Sequence, residues 1–127
     1  MTTMHWKGKC QDRGCYLAMR SDPEMFDDCW PRKISMGDID GLVEIKGHFL
    51  LVEFKHPGQK VPDGQAIMFK KLVSHGNFTV LVVYAEQNRV LSWAISSAKG
   101  EKLQEGTTGQ LQDWVRAWAS WADKHPK

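Results

Sequence analysis

Between Gly37 and Lys55 the chain reads GDIDGLVEIKGHFLLVEFK. Two apolar stretches flank Lys46-Gly47, a dipeptide suited to the two central positions of a tight hairpin. With that turn Ile45 faces His48, Asp40 lies across from Glu53, and Asp38 lies across from Lys55. Side chains alternate along a strand, which puts Asp38, Asp40, Leu51, Glu53 and Lys55 on one face and Ile39, Val43, Leu50, Val52 and Phe54 on the other. Opposed Cβ atoms in an antiparallel pair are roughly 4.5 to 5.5 Å apart, close enough for two carboxylates to share one divalent cation at about 2.1 Å from each oxygen. An ammonium group beside such a cation suits chemistry at an anionic phosphoryl centre, where charge must be neutralised and a water activated. A slip of one residue would turn Asp40 to the opposite face and dismantle the arrangement.

The competing structural reading is a plain hairpin with a charged, solvated face. Against it stands the unbroken apolar run Leu50-Leu51-Val52 leading into Glu53. Such a run marks a strand covered on both faces, where a carboxylate is costly unless it is paired or bound to metal.

The elements that must hold these residues follow directly. His56-Pro57-Gly58 ends the strand, and Asp63-Gly64-Gln65 opens a helical pattern with Asp63 as N-cap and Gly76 as its stop. Ala66, Phe69, Leu72 and Val73 are spaced as its buried stripe, and Gln65 falls in its first turn, near the mouth of the carboxylate pair. Phe78 to Tyr84, FTVLVVY, reads as a fully buried strand. The order is therefore strand, strand, helix, strand.

In that order, and with those four polar residues, the segment from Gly37 to Tyr84 resembles the PD-(D/E)XK nuclease superfamily, above all its small stand-alone branches, the Holliday-junction resolvases and virus-type replication-repair nucleases. The resemblance implies a restriction-endonuclease-like αβββαβ core in which Asp40, Glu53, Lys55 and Gln65 occupy the motif positions. It implies Mg²⁺ or Mn²⁺ held by Asp40, Glu53 and the carbonyl of Phe54, DNA as the partner, and products carrying a 5′ phosphate and a 3′ hydroxyl. The Pro-Asp dipeptide of the motif is replaced by Asp38-Ile39-Asp40, which leaves Asp38 as a competing first carboxylate, although spacing and register favour Asp40. Many members add an acid from an upstream helix. Here SDPEMFDD, with Ser21 or Asp22 as cap and Pro23 in the first turn, offers Glu24, with Asp27 and Asp28 as alternatives. An acid in a first helical turn is also favoured by the helix dipole alone. The alternative to an enzyme is a catalytically inactive protein of the same fold that binds nucleic acid or a protein partner.

The 127 residues, 42% hydrophobic and 25% charged, suit one soluble α/β domain spanning 1–127, with a central mixed sheet flanked by helices. Its core is expected at about 21–96 and a C-terminal helix at about 108–124. A net charge of +2 neither requires nor excludes nucleic acid, because a local groove outweighs the sum. Arg20, Arg32, Lys33 and Lys60 are the candidates for that groove, whereas Lys70 and Lys71 fall on the polar side of their helix. No segment approaches the roughly 20 apolar residues of a membrane span or resembles a signal peptide, so a cytoplasmic location is expected. Three cysteines argue against a disulfide framework. His5, Cys10, Cys15 and Cys29 could bind zinc but lack tight Cys-X-X-Cys pairs, and buried free thiols, with Cys29 beside Trp30, are the simpler expectation.

Further on, Arg89 to Ser96 alternates as a strand, with Val90, Ser92, Ala94 and Ser96 on one side. Lys99 to Gly109 reads as a polar linker. Leu111, Trp114, Val115, Trp118, Trp121 and Ala122 recur at helical spacing, a stripe expected to pack onto the sheet, with a homodimer through this Trp-rich helix as the main rival.

Overall fold

The computed structural model describes Gly14, Cys15, Ala18, Ser21 and residues 23–127. The chain divides into two compact units, one ending at Gly37 and one spanning Asp38–Lys127. In the first, Pro23–Cys29 forms a 3-10 helix with no buried residue and with Glu24 in its first turn. Met25 and Phe26 are both exposed, so the segment has no apolar stripe to bury and stays a short, tight helix. Cys29 is a free thiol, but it is exposed rather than buried, as is Trp30 beside it. Cys15 is disulfide-bonded, contrary to the expectation of a free thiol, and a bonded sulfur offers no thiolate to zinc. His5, Cys10 and Arg20 lie outside the described residues.

Asp38–Lys127 is a compact α/β domain. Its elements are β1 (Gly41–Ile45), β2 (His48–Lys55), α1 (Asp63–Ser74), β3 (Phe78–Glu86), β4 (Arg89–Ser97), β5 (Gly100–Glu105) and α2 (Thr108–Lys124). The strands form one sheet in the order β1-β2-β3-β4-β5. Only β2 and β3 run parallel, joined through α1, and the other neighbours are antiparallel. Two strands precede α1 among the described residues, where the αβββαβ expectation has three, and two antiparallel strands follow β3.

Turn chemistry sets the registers. Lys46 and Gly47 both have positive φ, 49° and 89°, as a two-residue primed turn demands, and Ile45 pairs with His48 as expected. Gln87 and Asn88, at φ 48° and 68°, do the same between β3 and β4. The expected N-cap of α1 moves back by one: Pro62 takes that place without a side-chain bond, and Asp63 is the first helical residue. Gly76, at φ 84°, follows the C-cap and returns its N–H to the Val73 carbonyl at 3.0 Å.

The sheet is covered on both faces. Leu51, Val80, Val82 and Ala94 pack with Phe69, Met68 and Leu72 under α1. Leu50, Leu81, Val83, Val90 and Trp93 pack with Leu111, Trp118 and Ala122 of α2. Val90 thus shares a face with Trp93 and not with Ala94, because the β3–β4 register shifts at Tyr84/Ala85 and leaves an extra residue on β4. The expected linker contains β5, whose residues are all exposed. Its sequence, GEKLQE, has no apolar alternation to reveal it. Its order comes from pairing with β4 across the Ala98-Lys99 turn. α2 begins with a capping box between Thr107 and Gln110.

Candidate metal centre

The carboxylate end of β2 is built by three features of the domain. The antiparallel β1–β2 register, continued by one residue beyond Gly41↔Val52, brings Asp40 opposite Glu53. The odd-numbered residues of β2 point under α1, since Leu51 belongs to that core, so Glu53 and Lys55 emerge on the same face. The β2–α1–β3 crossover returns the chain antiparallel to β2, so the first turn of α1, with Gln65, sits at the end of the sheet where β2 finishes. Gln65 lies one turn before Phe69 and three residues before Met68, both packed on the sheet, and therefore shares their inward side.

Asp40 is held by a bond that the sequence does not reveal: its Oδ2 accepts the backbone N–H of Phe54 at 2.8 Å. The N–H and C=O of one strand residue leave by the same edge, so the Phe54 carbonyl is also directed to the Asp40 side. Asp38 is exposed and precedes the strand, which leaves Asp40 as the carboxylate fixed to β2. Glu53 is 8% exposed, and its Oε1 lies 3.4 Å from the Lys55 ammonium, itself on a side chain 9% exposed. Its second oxygen, Oε2, is buried and has no donor, and the same is true of Oε1 of Gln65. Buried acceptors without partners are rare in folded proteins and each costs about 1–3 kcal/mol.

Among the described residues no three His, Cys, Asp or Glu side chains form a metal-holding group. The set here is two carboxylates, a backbone carbonyl and a side-chain amide oxygen, all hard oxygen donors. That suits Mg²⁺ or Mn²⁺, which keep several waters and take one or two carboxylates together with substrate oxygens. It does not suit zinc, which prefers a closed set of nitrogen and sulfur ligands. The fit rests on Glu53 Oε2, a buried carboxylate oxygen with no hydrogen-bond partner.

Lys60 is exposed in the loop between β2 and α1. Glu24, Arg32 and Lys33 are exposed and belong to the unit that ends at Gly37. One residue was given no role by the sequence reading: Tyr84, half-buried against the α1-side core, is in direct register with Lys55 on the parallel neighbour. The β-bulge immediately after it marks the position, a device that commonly re-aims side chains beside active sites.

No protein-family model, curated protein or solved structure matches this chain.

Proposed function

We propose that this chain is a Mg²⁺- or Mn²⁺-dependent endonuclease that hydrolyses phosphodiester bonds in DNA, on a restriction-endonuclease-like scaffold. The observation that carries the reading is the donorless Glu53 Oε2, next to Lys55 and on the strand whose Phe54 N–H anchors Asp40. Asp40, Glu53 and the Phe54 carbonyl would hold the cation, which would supply Lewis-acid charge at the phosphate. Lys55 neutralises a non-bridging phosphoryl oxygen and orients the attacking water. Gln65 accepts a hydrogen bond from that water through Oε1 or places its amide against the phosphate. The new phosphorus–oxygen bond forms as the bond to the 3′ oxygen breaks, leaving a 5′ phosphate and a 3′ hydroxyl. Branched or junction DNA is the substrate class the resemblance favours.

One observation favours the runner-up, an inactive binding protein of the same fold: among the described residues only two carboxylates are available, with no third acid beside them. A panel of linear, nicked, flapped and four-way DNAs, incubated with Mg²⁺ or Mn²⁺ beside a Glu53→Gln control, separates the two. Cleavage that requires metal and disappears in the control supports the enzyme. Binding without cleavage of any substrate, with either metal, assigns the chain to the runner-up.

A further inference from the structure

A second site lies at the other end of the sheet and on its other face. His48 opens β2, Phe78 opens β3, and Lys99 follows β4; together with Trp114, Trp118 and Trp121 of α2 they line a groove of about 480 Å³. That volume falls within the usual range of ligand sites, and its walls are mostly aromatic and aliphatic. Five residue steps along β2 separate His48 from Glu53, about 17 Å at the rise of a strand, so the groove is not part of the carboxylate centre.

Two features describe an occupant. The first is charge: Lys99 forms part of the wall, the Lys127 ammonium lies 3.6 Å from where a Cβ on Gly76, another wall residue, would stand, and no Asp or Glu is in the lining. The second is a flat aromatic surface. Trp121 is 44% exposed and tilts against His48 with ring centroids 4.5 Å apart. A planar group with an attached anion satisfies both.

We propose that this groove binds an unstacked nucleotide of a single-stranded nucleic acid, with the base against Trp121 and flanking phosphates on Lys99 and Lys127. Duplex is excluded because its base faces are already stacked, whereas single strands bind by aromatic stacking combined with a basic track. A second copy of the chain carries a net charge of +2 and so lacks the excess of anions that a phosphodiester strand brings to Lys99 and Lys127. The site goes beyond the nuclease reading and needs no metal.

The test is tryptophan quenching and oligonucleotide anisotropy with a dT 12-mer, performed on Glu53→Gln protein in metal-free buffer across a salt series. Quenching is expected with the 12-mer and not with the same sequence in duplex. Trp121→Ala should weaken binding roughly 5- to 150-fold. The double variant Lys99→Ala/Lys127→Ala, both exposed positions, should reduce the slope of log K against log salt by about 0.7 per lysine removed. An unchanged slope in the double variant, thymidine monophosphate binding as tightly as the 12-mer, or a dimer in sedimentation that excludes the 12-mer each overturns the proposal. Strand binding that persists in a wild-type protein unable to cut any DNA sinks the nuclease reading and leaves this site standing.

Discussion

Asp40 performs two tasks that one substitution can separate. Its Oδ2 accepts the Phe54 N–H at 2.8 Å, which is structural, and its charge is available to a cation, which is functional. Asn at this position retains a carbonyl acceptor of the same reach but carries no charge. Asp40→Asn should therefore stay within about 0.5 kcal/mol of wild-type stability, while Asp40→Ala, which orphans the Phe54 N–H at an exposed position, should lose about 1 kcal/mol. Cation binding gives a second readout. At ten times its dissociation constant, Mg²⁺ or Mn²⁺ stabilises the native state by about 1.4 kcal/mol. For a domain of this size that raises Tm by on the order of 6–11 °C. Thermal melts of the three proteins, with EDTA and with metal, are the assay. Wild type should show the rise, and Asp40→Asn should melt like wild type in EDTA yet show no rise and no cleavage. If Asp40→Asn keeps both the metal-induced rise and the cleavage, Asp40 is only a backbone cap, and the two-carboxylate centre is wrong.

Glu53→Ala should destabilise by about 3–5 kcal/mol, since it strands the Lys55 ammonium in a site 9% exposed; Glu53→Ala/Lys55→Met should recover most of that loss in urea unfolding, and a double variant no more stable than the single one contradicts the pairing. Gln65→Ala removes a buried acceptor that has no native bond, so stability should hold or rise by up to ~1 kcal/mol while metal-dependent cleavage drops; a large loss of Tm would mean that the amide is structural. Gly47→Ala places a Cβ at φ 89° and 3.0 Å from the Lys127 Cβ, and should cost about 1–2 kcal/mol through strain, with no fall in Tm counting against the described turn. Metal analysis after chelator-free purification should find zinc well below one equivalent, because Cys15 is bonded and Cys29 is exposed and free; a full equivalent would overturn the assignment of these sulfurs.

The parts of the fold that were legible are those whose information is local. Lys46-Gly47 encodes a turn with two positive φ angles, and once the turn is placed the β1–β2 register follows residue by residue. The run FTVLVVY encodes a buried strand because both faces of β3 are covered. Of the stripe on α2, Leu111, Trp118 and Ala122 are buried against the sheet, whereas Trp121 stays 44% exposed. What was not legible depends on partners distant in sequence. β5 is polar at nearly every position and becomes a strand only because β4 offers it an edge. The inversion of Val90 arises from a bulge that no residue type announces. At the candidate site, Asp40, Glu53, Lys55 and Gln65 were visible as a spaced set. The Phe54 N–H that anchors Asp40, the donorless state of Glu53 Oε2 and the registry of Tyr84 with Lys55 are facts of packing.

The two ends of the β1–β2 hairpin are secured by different means, and the difference bears on catalysis. At the turn, the Lys46 ammonium bonds the Asp123 carbonyl at 2.9 Å and its carboxylate at 3.1 Å, and the Lys46 carbonyl accepts the Lys127 N–H at 2.9 Å. His48, 6% exposed, meets the His125 carbonyl through Nε2 at 2.6 Å and packs on Trp121. The end of α2 thus clamps the turn, and so fixes a register on which the pairing of Asp40 with Glu53 depends. At the opposite end β1 is an edge strand with three exposed residues in a row, Leu42 to Glu44, and Asp40 is tied back through its carboxylate to the Phe54 N–H. A cation shared by Asp40 and Glu53 would add a second cross-strand tie beside that bond. Local opening is easiest where backbone bonds are few and exposed. The carboxylate end is therefore where metal binding should slow amide exchange most, at Phe54 and its β1 neighbours, while Ile45 and His48, clamped by α2, should not change. Equal protection at both ends on adding metal would mean that the cation is not bridging the strands.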